Sequence, residues 1–272
     1  MSAAARAARF RELHARGIFV IANAFDAGSA RILAGLGFEA IATSSGAMAN
    51  TLGRMDGRVT RAEAIAHGRA IVEAVDVPVS ADLERGFGDA PADAAETIRQ
   101  AGAAGLAGGS IEDSTGDKSK PIYDVAHAAE RVAAAVEAAR ELPCPFVLTA
   151  RAENFITGRP DLDDTIRRLQ AFEKAGADVL FAPGLPTLDA VRTVCASVSR
   201  PVNFMVGIRG KSFSLAELEQ AGVRRVSVAT SLYRAAMSGL VAAAREIREH
   251  GTFGYVETGL ASADLARFMR KE

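Results

Sequence analysis

Residues 77–89 read V-P-V-S-A-D-L-E-R-G-F-G-D. An apolar run opened by a proline, which can start a ladder but not continue one, predicts a buried strand over 77–81. That strand delivers Asp82 and Glu84 to a glycine-rich turn. Side chains two apart on a strand share a face, so the two carboxylates are expected to aim at one point. Carboxylates so paired repel each other unless a cation lies between them, and all-oxygen donors select a hard divalent ion, Mg²⁺ or Mn²⁺. Solvated loop acids would give the same D-x-E pattern. The weight of the reading comes from other strands that end in the same way.

On either side of this stretch, short apolar runs alternate with Ala-rich helical ones. Strands are expected at Ile18 to Asn23, Ala40 to Ser45, Val77 to Glu84, Gly105 to Asp113, Pro145 to Glu153, Val179 to Gly184, Pro201 to Gly207 and Arg224 to Thr230. Apolar spacing of three and four predicts helices over Arg61 to Val75, Ala92 to Ala103, Val125 to Ala139, Leu162 to Ala175, Thr187 to Ser197 and Leu215 to Gln220. Thr60, Asp161 and Ser214 suit N-caps, and Gly35 to Gly37, Gly102, Gly176 and Gly222 suit helix ends. Strict alternation without a low-complexity linker implies one α/β domain with a parallel sheet over residues 1–272. Eight repeats close most naturally as a (β/α)₈ TIM barrel. An open doubly wound sheet would need a phosphate-binding glycine turn after its first strand, and A-N-A-F-D-A-G-S-A, residues 22–30, does not supply one.

Composition sets the partner classes. The chain has 272 residues, 49% of them hydrophobic, with 32 basic against 33 acidic side chains, and this near-neutrality argues against nucleic acid or an anionic membrane as partner. No tryptophan is present, so a stacking platform for single strands has no support. Cys144 and Cys195 form no metal-spaced pair and read as reduced core residues of a cytoplasmic protein. The start, M-S-A-A-A-R-A-A-R-F, lacks the apolar core of a secretory signal and reads as a first amphipathic helix. His14, His67, His127 and His250 fall on predicted helices without metal-ligand spacing. Tyr123 and Tyr233 suit packing as well as acid catalysis.

In a (β/α)₈ barrel the active site lies at the carboxyl ends of the strands. Strand two ends in T-S-S-G, residues 43–46, whose hydroxyls and N–H groups can cradle a carboxylate or phosphate. Strand three supplies Asp82 and Glu84, strand four Glu112 and Asp113, and strand five Arg151 and Glu153. Four consecutive ends of this kind point to a combined metal and anion site.

T-S-S-G followed by L-G-R-M-D-G, A-D-L-E-R-G-F-G, G-G-S-I-E-D-S-T-G, L-T-A-R-A-E-N-F and A-G-A-D-V-L-F-A-P-G resembles the isocitrate lyase/phosphoenolpyruvate mutase superfamily over nearly the whole chain. The resemblance implies a Mg²⁺-dependent barrel that makes or breaks C–C or P–C bonds beside a small 2-oxo or 2-hydroxy carboxylate. It also implies a homodimer or homotetramer exchanging a C-terminal helical arm, here the run E-H-G-T-F-G-Y-V-E-T-G-L from residue 249. By motif position, Asp82 matches the direct metal ligand, and Asp56, Glu84 and Glu112 match carboxylates holding the metal or its waters. Ser44, Ser45 and Gly46 match the substrate-carboxylate loop, Arg151 the arginine beside the reacting oxygen, and Glu153 the acid that orients it. Glu112 and Lys118 are further catalytic candidates.

Ser114 to Tyr123 stands where isocitrate and methylisocitrate lyases carry a K-[KR]-C-G-H loop with a proton-donating cysteine. Lys118 matches its lysine, but Lys120 replaces the cysteine, which disfavours those two substrates. The phosphonate branch usually shows a histidine at the end of strand six, where this chain has Pro183. The expected activity is therefore C–C cleavage of a 2-oxo or 2-hydroxy di- or tricarboxylic acid through an enolate, of oxaloacetate decarboxylase or methylisocitrate lyase type. Phosphonopyruvate or carboxyphosphonoenolpyruvate chemistry, or dicarboxylate binding without catalysis, are the alternatives.

Overall fold

The computed structural model describes residues 1–269; positions 270–272 of the expected arm lie outside the described residues. Eight parallel strands close in chain order into a barrel: β1 (Phe19–Asn23), β2 (Ile41–Ala42), β3 (Val79–Asp82), β4 (Gly108–Glu112), β5 (Val147–Arg151), β6 (Val179–Phe181), β7 (Val202–Met205) and β8 (Arg225–Ser227). β8 returns to β1 with Phe19 opposite Arg225. The helices are α1 (Ala3–Ala15), α2 (Ala27–Gly35), α3 (Ser45–Thr51), α4 (Arg61–Ala74), α5 (Pro91–Ala103), α6 (Val125–Arg140), α7 (Leu162–Ala175), α8 (Leu188–Ala196), α9 (Leu215–Gln220), α10 (Ser231–His250), α11 (Tyr255–Thr258) and α12 (Ser262–Met269). None is long and apolar enough to cross a membrane.

The punctuation follows its local chemistry. Thr60 and Ser214 form capping boxes with Glu63 and Glu217, and Asp161 caps α7 through the Asp164 N–H. Gly176 and Gly222 take the left-handed conformation that ends α7 and α9. Gly102, by contrast, lies inside α5, and the left-handed residue after that helix is Gly105. The fourth strand therefore starts at Gly108 rather than Gly105.

Apolar faces of the helices pack around the barrel, with Ile71, Ile98, Ala135, Leu169 and Val191 fully covered. The N-terminal end is plugged by α1, whose Phe10 and Leu13 pack with Phe19, Ala40, Val147 and Val179. Gly108 permits that plug: a Cβ there would lie 2.7 Å from both the Phe10 ring and the Val147 carbonyl oxygen. With one mouth sealed by apolar side chains, a ligand can enter only from the carboxyl ends of the strands.

Candidate active site

Strand β3 stops at Asp82, because Glu84 adopts a left-handed backbone with φ 48°. The expected strand alternation therefore does not place Glu84. A turn brings it back, with its N–H donating to Asp82 Oδ1 at 3.3 Å. Likewise T-S-S-G is less a loop than a helix start. Ser44 caps α3 by accepting from the Ala47 N–H, and Ser45 donates through N and Oγ to Asp82 Oδ2 at 3.2 and 3.0 Å. Gly46 sits so close to the Asp56 carboxylate that a Cβ would approach it to 3.1 Å.

Arg151, the last residue of β5, is the centre of the charge. Its Nη1 lies 3.0 Å from Asp82 Oδ1 and 3.4 Å from Glu112 Oε2, and its Nε lies 3.0 Å from Glu153 Oε1. The guanidinium also faces the Phe181 ring at 5.1 Å. Burial alone would favour the neutral form, but Glu153, Glu112 and Asp82 together hold the group more firmly protonated than a free arginine. Burial pushes Glu112 well above the usual carboxylate range, and the neighbouring Glu153 adds to the rise. Burial likewise raises Glu153 to about 7 despite its bond to Arg151. Glu84 also rises to about 7, first from burial and then from repulsion by Asp82 and Asp56. Its Oε1 is buried without a hydrogen-bond partner.

These observations bear on a metal. The donor set is hard oxygen, burial and neighbouring carboxylates push Glu84 and Glu112 upward, and Glu84 Oε1 lacks a partner, as a site shaped for a divalent cation requires. Among the described residues, however, no three acidic, His or Cys side chains converge tightly on one point. Arg151 draws two of the carboxylates, Asp82 and Glu112, onto itself. The chemistry fits Mg²⁺ or Mn²⁺, provided Asp82 turns part of its carboxylate away from that arginine.

A cavity of about 240 Å³ opens above the barrel, lined by Ser44, Ser45, Gly46, Asp56, Asp82 and Arg151. Six of the expected site residues are thus brought together, with Glu84, Glu112 and Glu153 behind them. Lys118 is not: it lies exposed on the segment closed by the Ser114–Ile122 bridge, with no ion pair or hydrogen bond among the described residues. Lys120 is held away by Asp124 at 2.9 Å. Asp113, beside Glu112, turns to Arg168 at 2.9 Å and receives the Glu153 N–H, so its work is structural. Sequence reasoning missed Thr149, Asn203 and Arg225, which form the cavity floor. Their signal was the inward phase of each strand, masked at Arg225 by a second arginine beside it.

Residues 10–248 match the phosphoenolpyruvate phosphomutase family. A crystal structure of a lyase/mutase candidate from Burkholderia cenocepacia J2315 is 50% identical, superposes with a TM-score of 0.96, and the match covers 99% of this chain and 97% of that one. A 2,3-dimethylmalate lyase from Eubacterium barkeri is 32% identical over 227 residues, covering 79% of this chain and 77% of its own. An oxaloacetate decarboxylase from Pseudomonas entomophila strain L48 is 30% identical over 236 residues, covering 84% and 80% respectively.

Proposed function

This chain belongs to the isocitrate lyase/phosphoenolpyruvate mutase superfamily, and from that premise we propose that it is a divalent-cation-dependent lyase cleaving a C–C bond in a small 2-oxo diacid of the oxaloacetate type. The observation that carries this reading is Arg151, a buried cation at the mouth of the same cavity as Ser44 to Gly46. Relatives that act on dimethylmalate and oxaloacetate support the substrate class.

Asp82, with Asp56, Glu84 and Glu112 around it, is the donor set for Mg²⁺ or Mn²⁺, which when bound supplies Lewis-acid charge to the oxygens of a 2-oxo acid. The start of α3 at Gly46 receives the carboxylate next to the ketone, while Ser45, donating through N and Oγ to Asp82, holds the Asp82 carboxylate in place. Arg151 has Nε committed to Glu153 and Nη1 to Asp82, which leaves Nη2 to meet the oxygen on which charge develops. In decarboxylation the distal carboxylate leaves as carbon dioxide. The electron pair of the broken C–C bond moves into the ketone to give the enolate, and a solvent proton on carbon yields the 2-oxo monoacid. Carbon dioxide leaves uncharged, so no loop acid is needed at the cleavage step, in keeping with Lys120 where a cysteine would stand.

The test is turnover of oxaloacetate, 2-methylisocitrate, isocitrate and phosphonopyruvate side by side in Mg²⁺, with the spontaneous loss of carbon dioxide subtracted. Cleavage of oxaloacetate with little turnover of the two tricarboxylates is expected. Cleavage of either tricarboxylate at kcat/KM on the order of 10⁴ M⁻¹s⁻¹ would place another proton donor in the site. Turnover of phosphonopyruvate alone would move the enzyme to the P–C branch.

A further inference from the structure

Arg225 enters the barrel interior from the start of β8 and is 5% exposed. Its Nε donates to Asn203 Oδ1 on β7 at 2.8 Å, and its Nη2 reaches across the barrel to Thr149 Oγ1 on β5 at 2.9 Å. Nη1 faces His14 Nε2 on α1 at 3.3 Å. His14 Nδ1 lies 2.8 Å from the Phe10 carbonyl oxygen, so that nitrogen carries the proton and Nε2 accepts. All three partners are neutral. Arg151, which lines the same cavity, pairs instead with carboxylates, as does the buried Arg168, while the buried Arg131 is answered by the carbonyls of Arg85, Gly88 and Ala90. No acid lies within ion-pair distance of Arg225 among the described residues, and burial without such opposition brings its pKa down to about 9, still protonated at neutral pH.

A guanidinium offers five N–H groups, and these contacts use three. The remaining two have no protein partner among the described residues, and the side chain lines the cavity that Asp82 and Arg151 line from above. Around them, Ser80 and Ser110 line the cavity, and no hydrogen bond to protein involves either hydroxyl among the described residues. Ser227 Oγ accepts from Asn203 Nδ2 at 3.0 Å, which leaves its proton free to donate. The floor is therefore a cation ringed by unspent donors without an acid, the reverse of the carboxylate-rich wall above it. A desolvated charge of this kind is costly unless an anion answers it.

We propose that this floor is a second anion subsite, in which Arg225, supported by Thr149 and Asn203, binds the distal carboxylate of a diacid whose other end lies at Ser44 to Gly46. The proposal deepens the functional reading above and takes the diacid class from it. It makes Arg225 the residue that separates diacids from monoacids, with the substrate lying along the barrel axis.

Equilibrium binding tests it without turnover. Titration calorimetry on the full chain in Mg²⁺ would compare malonate with acetate and succinate with propionate, with oxalate as a ligand short enough for the upper end alone. The wild type is expected to bind each diacid at least about tenfold more tightly than its monoacid. Arg225→Met and Thr149→Val should reduce that ratio towards one while leaving oxalate affinity within about twofold. Absence of diacid preference in the wild type overturns the proposal even if Arg225→Met does not fold. An intact preference in a folded Arg225→Met also overturns it, and leaves Arg225 as a structural brace. An Arg225-dependent preference in a protein that turns over no diacid would keep the subsite and remove the lyase reading.

Discussion

Arg151 lies against the Phe181 ring and among three carboxylates, and its planar fork spends one edge on Glu153. Lysine would keep the charge and lose both the fork and its orientation. Arg151→Lys is therefore expected to lower kcat by at least about tenfold with a smaller change in KM, because the oxygen it faces becomes anionic only as the bond breaks. Steady-state kinetics on oxaloacetate check this, and an effect on KM alone would make Arg151 a clamp on the bound substrate. Most members of this site were legible as residue types at strand ends. Their geometry was less so, since D-x-E reads as two side chains on one strand face whereas Glu84 reaches its place through a left-handed turn. Arg225 was not legible as chemistry, because Arg224 and Arg225 side by side give no indication of which one faces inward.

At the scale of single elements, α1 matters more than a leading helix usually does, because it seals the barrel beneath the site. His14 on α1 is held neutral: burial lowers its pKa from 6.5 to about 3, and the facing Arg225 adds to the shift. The unfolded chain binds this proton below pH 6.5 and the folded chain does not. The stability linked to His14 is thus fully present above pH 6.5 and is lost as pH falls from there towards about 3. Thermal unfolding from pH 7 to 4 should show Tm falling more steeply for the wild type than for His14→Gln. Parallel curves would mean that His14 accepts a proton in the folded state. Strand and helix placement was readable because buried parallel strands are continuous apolar runs and helix caps have side-chain signatures. The boundaries were less so, since Gly102 and Gly105 are both plausible helix ends in sequence and only the backbone conformation chooses between them.

For the whole molecule, eight strand-helix repeats sufficed to predict the closed barrel, while α10, α11 and α12 went unresolved as separate helices. These three bury no residue within the chain. Leu240, Val241 and Ile247 on α10 are all exposed, as are Phe253, Val256 and Leu260 beyond it. Apolar surface on this scale favours a partner, and an exchanged C-terminal arm would supply one in a second copy of the chain, whereas here α12 lies on α2 of its own chain with Phe268 beside Gly35. Light scattering should give a dimer or tetramer, and Leu240→Glu combined with Val256→Glu should shift it towards monomer. A monomeric wild type at micromolar concentration would count against the exchanged arm.

The claim on which the function turns is that the carboxylates around Asp82 hold a divalent cation that the reaction requires. Pyruvate formation from oxaloacetate, followed as Mg²⁺ is raised from chelator-treated enzyme and corrected for the spontaneous rate, tests it in wild type and Asp82→Ala together. A saturable rise in the wild type, with no rise above background in an Asp82→Ala protein of unchanged circular dichroism, is the predicted result. Full activity in excess chelator, or in Asp82→Ala, would contradict it.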